Sequence, residues 1–210
     1  MSYSYREDFG LWWPDWDTKA VQNFEYIKRN LNTMDYAISQ CKEKRVCVQA
    51  GGHAGLWPIE LSKHFDTVYT FEPDPDLYGC IQDNIDDRFF SISESKFSVY
   101  NFGLGESSYN TYIKRSGSSG TNRINTNEDG FEIEVKPLDA FKLDVLDALF
   151  LDVEHYELQA LKGAEQTIKR CRPIIQVEEL SSSDNSVREY LESLGYRYDK
   201  KFKNDRVYLP

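Results

Sequence analysis

Three groups of residues in this sequence have the types and spacing to do chemistry. The first is "AGGHAG", in which Gly51, Gly52 and Gly55 follow the apolar run Val46–Val48. Leu56, Ile59, Leu61 and Phe65 then recur at helical spacing. A strand that breaks into a glycine turn and then a helix is where an α/β protein grips a nucleotide-like ligand. The loop departs from Gly-x-Gly-x-x-Gly, which disfavours a nicotinamide-dependent dehydrogenase. The second is Glu72 in "YTFEPDP", at the end of a second apolar run. An acid at the tip of the second strand, about 20 residues past such a loop, can accept the two hydroxyls of a ribose. Capping of the next helix is its ordinary alternative, although Asp74 is as well placed for that. The third is "FLDVEHYELQALKGAEQTI", where Asp152 and Glu154 end a buried run and His155 follows. Alternation sends Asp152 and Glu154 to one side of a strand. Glu178, ending "PIIQVE", joins the same rim.

These residues need elements to bring them together. Residues 1–44 read as a helical extension, with Val21, Phe24, Ile27 and Leu31 at helical spacing and a second short helix over 33–42. Residues 45–210 read as one compact unit. Strands at about 45–50, 67–72, 97–102, 147–153 and 173–180 alternate with helices at 55–65, 74–85, 156–171 and about 185–194. Such alternation argues a parallel sheet with helices on both faces. "YRYDKKF" and "RVYLP", joined by "KND", argue an antiparallel closing pair. "NTYIKR" and "FEIEVK" interrupt the alternation as an inserted hairpin. The 15 turn-forming residues between them, "SGSSGTNRINTNEDG", read as a mobile lid or a plain loop. In the parallel sheet the carboxyl ends of the strands face one crevice, so Asp152, Glu154 and His155 should meet Gly51–Gly55 and Glu72 there.

Bulk properties narrow the function classes. The chain has 210 residues, 40% apolar and 29% charged, with net charge −10. Duplex DNA or RNA usually demands a basic face, so a nucleic-acid partner is disfavoured. "KEKR" and "KRCR" fit solvated helix ends. No apolar run approaches the roughly 20 residues of a membrane helix, so no membrane partner is expected. The N-terminus lacks signal-peptide design, which leads to a cytoplasmic expectation. Cys41, Cys47, Cys80 and Cys171 form no Cys-x-x-Cys pair and read as reduced thiols.

Taken together, "VQAGGHAG", "VYTFEPDP", "NFGLGE" and "LDVEHYELQALKGAEQTI…PIIQVEE" resemble the FkbM family of S-adenosylmethionine-dependent methyltransferases over roughly residues 45–180. The resemblance implies a Rossmann-like class I methyltransferase sandwich of the α/β class. Its sheet would be mostly parallel and seven-stranded with an antiparallel last strand, plus the inserted β-hairpin and N-terminal helices. It implies S-adenosyl-L-methionine as cofactor and O-methylation of a sugar or other small hydroxyl-bearing acceptor. The cofactor residues it implies are Gln49, Gly51, Gly52, His53, Gly55, Glu72, Pro73, Asn101, Gly103, Leu104 and Asp152. Three positions depart from the family pattern: Gln49 replaces an Asp, His53 an Asn, and His155 a Gly. Methyl transfer to a neutral alcohol is helped by a base. Asp152 is the first candidate for it, or for orienting the acceptor. His155 is the second, since an unperturbed imidazole titrates near pH 6.5. Glu154 completes the catalytic set. Asp152, Glu154 and Glu178 could instead hold a divalent cation, but no spacing compels it and no metal is expected. The alternative to an enzyme is a non-catalytic binding module in which Gln49 and His155 mark a repurposed site.

Overall fold

Strands such as "VCVQA" and "ALFL" are apolar on both faces, which suits the interior of a parallel sheet covered on two sides. The computed structural model describes residues 2–89, 96–125, 129–179 and 185–210. It opens with a hairpin of β1 (Tyr3–Arg6) and β2 (Leu11–Pro14), then helices α1 (Ala20–Asn30) and α2 (Asp35–Gln40). Alternation follows through β3 (Val46–Ala50), α3 (Leu56–Leu61), β4 (Thr67–Phe71), α4 (Pro75–Phe89) and β5 (Phe97–Tyr100). An inserted section carries β6 (Gly103–Leu104), β7 (Tyr109–Lys114), β8 (Arg123–Asn125) and β9 (Phe131–Lys136). The chain returns with β10 (Ala148–Leu151), α5 (Glu157–Lys162), α6 (Glu165–Cys171), β11 (Ile174–Glu178) and α7 (Ser186–Ser193). It closes with β12 (Arg197–Phe202) and β13 (Asp205–Leu209).

The main sheet has seven strands in the order β12-β13-β11-β10-β3-β4-β5. β13 runs antiparallel to β11 and β12, and the neighbours from β11 to β5 are parallel. Side-chain alternation divides the core. Val48, Ala50, Leu149, Leu151 and Val177 pack under the α5–α7 side with Leu161, Ile168 and Leu191. Cys47, Val68, Ala148 and Phe150 pack on the other side with Ala37, Ile38, Leu61 and Phe65. β3 lies between β4 and β10, so the chain order reverses there. That switch point opens a crevice at the carboxyl ends of β3 and β10.

Two expectations are corrected and one is extended. The N-terminal segment begins not with helix but with the β1–β2 hairpin, whose Leu11 and Trp13 are buried. The inserted hairpin is present as β7 and β9, and β6 and β8 extend it to a four-stranded sheet, β6-β9-β7-β8, because Arg123–Asn125 of the turn-rich stretch pairs with β7. Residues 126–128 of that stretch lie outside the described residues. The long helix expected over 156–171 is broken between α5 and α6. At the break Gly163 lies so close to Gly105 that an added Cβ would sit 1.9 Å from the Gly105 carbonyl oxygen. The close approach fixes the connection at a residue without a side chain. The four cysteines form no disulfide. No helix among the described residues is long and apolar enough to cross a membrane.

Candidate active site

A cavity of about 420 Å³ lies at the carboxyl ends of β3, β4, β10 and β11, within the range of small-molecule sites. One wall carries Ala50, Gly51, His53, Glu72, Pro73, Gly103 and Leu104. Asp152, Glu154, Tyr156 and Glu178 line the cavity as well. Asn23 and Tyr26 of α1, and Ser119, Asn122 and Arg123 of the insertion, complete it.

The glycine turn is built on the end of β3. The Gly51 and Gly52 N–H groups donate to the Phe71 carbonyl at 3.0 and 3.1 Å. Gly51 has φ 84°, and a Cβ there would sit 1.8 Å from the Asp152 carbonyl oxygen. Only glycine lets the two strand ends approach so closely. Gly52 and Gly55 shape the turn without lining the cavity. Glu72 is 5% exposed. Its Oε2 accepts from the His53 N–H at 2.8 Å and its Oε1 from the Asp74 N–H at 3.0 Å. Each oxygen keeps a further lone pair for a ligand hydroxyl. Burial, and then the Asp74 charge, push the Glu72 carboxyl up to about 8. Asn101 does not line the cavity; its Nδ2 donates to the carbonyls of Glu72 and Pro73 at 2.9 and 3.1 Å and holds that turn.

His53 is buried beneath the insertion. Its Nε2 lies 2.8 Å from Ser119 Oγ, and that hydroxyl donates to Asp17 Oδ2. A carboxylate only accepts, so Ser119 must accept from His53, and the imidazole proton resides on Nε2. Burial lowers the His53 pKa to about 4, so the ring is neutral. Gln49 is placed otherwise than expected. Its Nε2 donates to the Ala50 and Gly51 carbonyls and its Oε1 accepts from Thr70 at 2.8 Å. It lines a smaller cavity instead of the main one. As a strand neighbour of Ala50 it points to the opposite face of the sheet.

Asp152, Glu154 and Glu178 each present a carboxylate oxygen within 4.8 Å of the others. Burial, with repulsion from Glu178 and Glu154, holds the Asp152 carboxyl well above the usual range. Burial and Glu178 raise Glu154 to about 7. The expectation for His155 is corrected: the residue is exposed and does not line the cavity. Its φ is 76°, and Glu154 before it has φ 51°. This left-handed pair turns the ring out of the site. The Glu157 Oε1 accepts from the N–H groups of Val153 and His155 and fixes the turn. Sequence reasoning missed Asn23, Tyr26, Asn122, Arg123, Tyr156 and Asn204, which also line the cavity. The "KND" turn and the polar stretch after β7 were visible, but nothing in their spacing aimed them at a crevice.

A family model described as the methyltransferase FkbM domain matches residues 49–198. A search of curated proteins found no match. Among solved structures, a methyltransferase FkbM from Methylobacillus flagellatus KT is similar, with TM-score 0.63 and 18% identity. The match covers 94% of this chain and 61% of that one, so this chain spans about three fifths of its length. An rRNA methylase from Streptococcus thermophilus has TM-score 0.53 and 12% identity, covering 84% and 91% of the two chains. A Streptococcus mutans protein in complex with SAH has TM-score 0.50 and 9% identity, covering 84% and 93%. At these identities the structures share a fold.

Proposed function

The chain belongs to the FkbM methyltransferase family, and from that premise we propose that it transfers a methyl group from S-adenosyl-L-methionine to a hydroxyl of a sugar or other small acceptor. The observation that supports this best is one cavity lined by both the glycine turn and the carboxylate cluster. Glu72 lines it with lone pairs free, and so do Asp152 and Glu154. The donor set fits the cofactor: a carboxyl group for a ribose diol, a glycine turn that lets the backbone come close, and apolar Leu104 and Leu77 beside Pro73. When bound, the cofactor supplies a methyl group made electrophilic by its sulfonium.

The chain's own residues do the rest. Glu72 would accept the ribose hydroxyls, and Gly51, His53 and Pro73 would border the methionine and ribose portions. Asp152 would take the proton of the acceptor hydroxyl on its carboxylate, whose proton affinity is raised by burial and by the Glu178 and Glu154 charges. Glu154 and Tyr156 would orient the acceptor. Holding acceptor and donor in line supplies a large part of the rate, on the order of 7–11 kcal/mol for well-aligned reactants. The departures at Gln49 and His155 lie outside the cavity, so neither obstructs it.

Calorimetric titration with S-adenosylmethionine and its demethylated product, beside NAD and a Glu72→Ala control, tests the reading. One-site binding of both sulfur compounds, weakened more than about tenfold by the substitution, with NAD inert, supports it. Absence of binding overturns it. Tight binding with no turnover of any hydroxyl acceptor would leave the non-catalytic module.

A further inference from the structure

The three carboxylates on the acceptor wall are not explained by methyl transfer alone. One base is enough for a hydroxyl, yet Asp152, Glu154 and Glu178 converge to within 4.8 Å. Each is only partly exposed, so water screens their repulsion poorly. Among the described residues, none of the ion pairs involves any of the three. Arg123 lines the same cavity and its charge reaches Glu154 without a direct ion pair, while Asp152 and Glu178 are hydrogen-bonded to each other.

A second observation comes from the strand behind them. Gln176 precedes Glu178 by two residues on β11, so both side chains leave the same face of the sheet. Gln176 is 5% exposed, and its Oε1 is buried without a hydrogen-bond partner. With Asp152 and Asp205 it lines a separate small cavity of about 20 Å³. That volume admits one water-sized species. A buried amide oxygen left unpaired is destabilising, and a donor in that space would relieve it. Asp152 borders both cavities and joins this acceptor to the carboxylate cluster.

We propose that this wall binds one hydrated divalent cation, with Asp152, Glu154 and Glu178 as its ligands and Gln176 Oε1 accepting a hydrogen bond from one of its waters. Oxygen-only donors in this number suit a hard ion such as Mg²⁺ or Mn²⁺, which keeps several waters. The cation then offers open positions to the acceptor's oxygen and eases loss of its proton to a carboxylate. This last role rests on the methyltransferase reading, whereas the site itself does not.

The test is a Mn²⁺ titration of the full chain followed by electron paramagnetic resonance, with Mg²⁺ as competitor. A parallel titration uses the demethylated cofactor, with and without chelator. One Mn²⁺ per chain is expected, displaced by Mg²⁺. Glu178→Gln should weaken it at least tenfold and Gln176→Leu several-fold. Glu154→Gln, at a more accessible position, gives a second ligand variant should Glu178→Gln fail to fold. No saturable Mn²⁺ binding by protein that still binds the demethylated cofactor overturns the cation site alone. Mn²⁺ binding without cofactor binding upholds the site and removes the methyltransferase reading.

Discussion

Glu72 and Asp152 show how a single position can be tuned by what surrounds it. Both carboxyls face a cavity, and burial raises the proton affinity of each. At Asp152 the proposed consequence is catalytic. Asp152→Asn should lower methyl transfer at saturating cofactor by about 10²-fold or more. His155→Gly should leave the rate within about twofold, because the ring lies outside the cavity. The same substitution should hold or raise stability, by up to about 1 kcal/mol, since φ 76° suits glycine better than histidine. Initial rates beside urea denaturation check both; a collapse of the His155→Gly rate would restore that residue as the base. At Glu72 the consequence is a pH dependence of stability. Its folded-state pKa of about 8 lies above the ordinary 4.5. Between those values the folded protein holds a proton that the unfolded chain has released, so stability falls as pH rises. Glu154, at about 7, acts in the same direction. His53, lowered from 6.5 to about 4, acts in the opposite direction but only below 6.5. From pH 6.5 to 8 the ligand-free protein should therefore lose stability. Glu72→Gln should flatten that slope in urea midpoints; an unchanged slope would show that Glu72 titrates normally.

At the scale of elements, the inserted sheet is attached through a few buried contacts. Arg115, at the end of β7, donates to both Asp74 oxygens at 2.8 and 2.6 Å and reaches Asp76 at 2.9 Å. Its guanidinium lies 4.3 Å from the Trp16 ring centroid and 4.7 Å from that of Phe131. One side chain thus joins the insertion, the N-terminal segment and the loop after β4. Arg115→Met would leave Asp74, 0% exposed, without its cation. A loss of about 3–5 kcal/mol is expected in denaturant unfolding; a loss under about 1 kcal/mol would mean that the backbone donors of Asp74 are sufficient. Gly163→Ala should also cost more than about 2 kcal/mol, because the added methyl would meet the Gly105 carbonyl at 1.9 Å. Thermal melting reads it directly, and a neutral result would mean that the α5–α6 joint can shift.

For the molecule as a whole, the parallel sheet was legible because its strands are short apolar runs separated by helical periods. Gly51, Glu72 and Asp152 were legible because strand ends at a topological switch point must converge. The roof over them was not. Asn23, Tyr26 and Asn122 are polar residues on segments whose spacing reports helix or turn, and only tertiary packing brings them to the cavity. The β1–β2 hairpin was hidden for a related reason: its aromatic residues suit either a helix or a strand, and α4 decides by offering Asn84, which exchanges hydrogen bonds with the Trp12 backbone at 2.7 and 2.9 Å. Gln49 and His155 drew attention as departures from a family pattern, yet strand alternation and a left-handed turn send both side chains away from the cavity.

The roof also bears on the time course of a reaction. Ser119 lies between His53 and Asp17, Asn23 Nδ2 reaches Ser118 and Ser119 at 3.1 and 3.2 Å, and Thr18 holds the Gly117 carbonyl at 2.7 Å. These bonds fasten residues 117–119 across the edge of the glycine turn. A spent cofactor leaving on that side must first break several of them together. Under such a cover the first catalytic cycle would run faster than those that follow, and rapid mixing would record a burst of methylated product equal to the enzyme present, then a slower line set by departure.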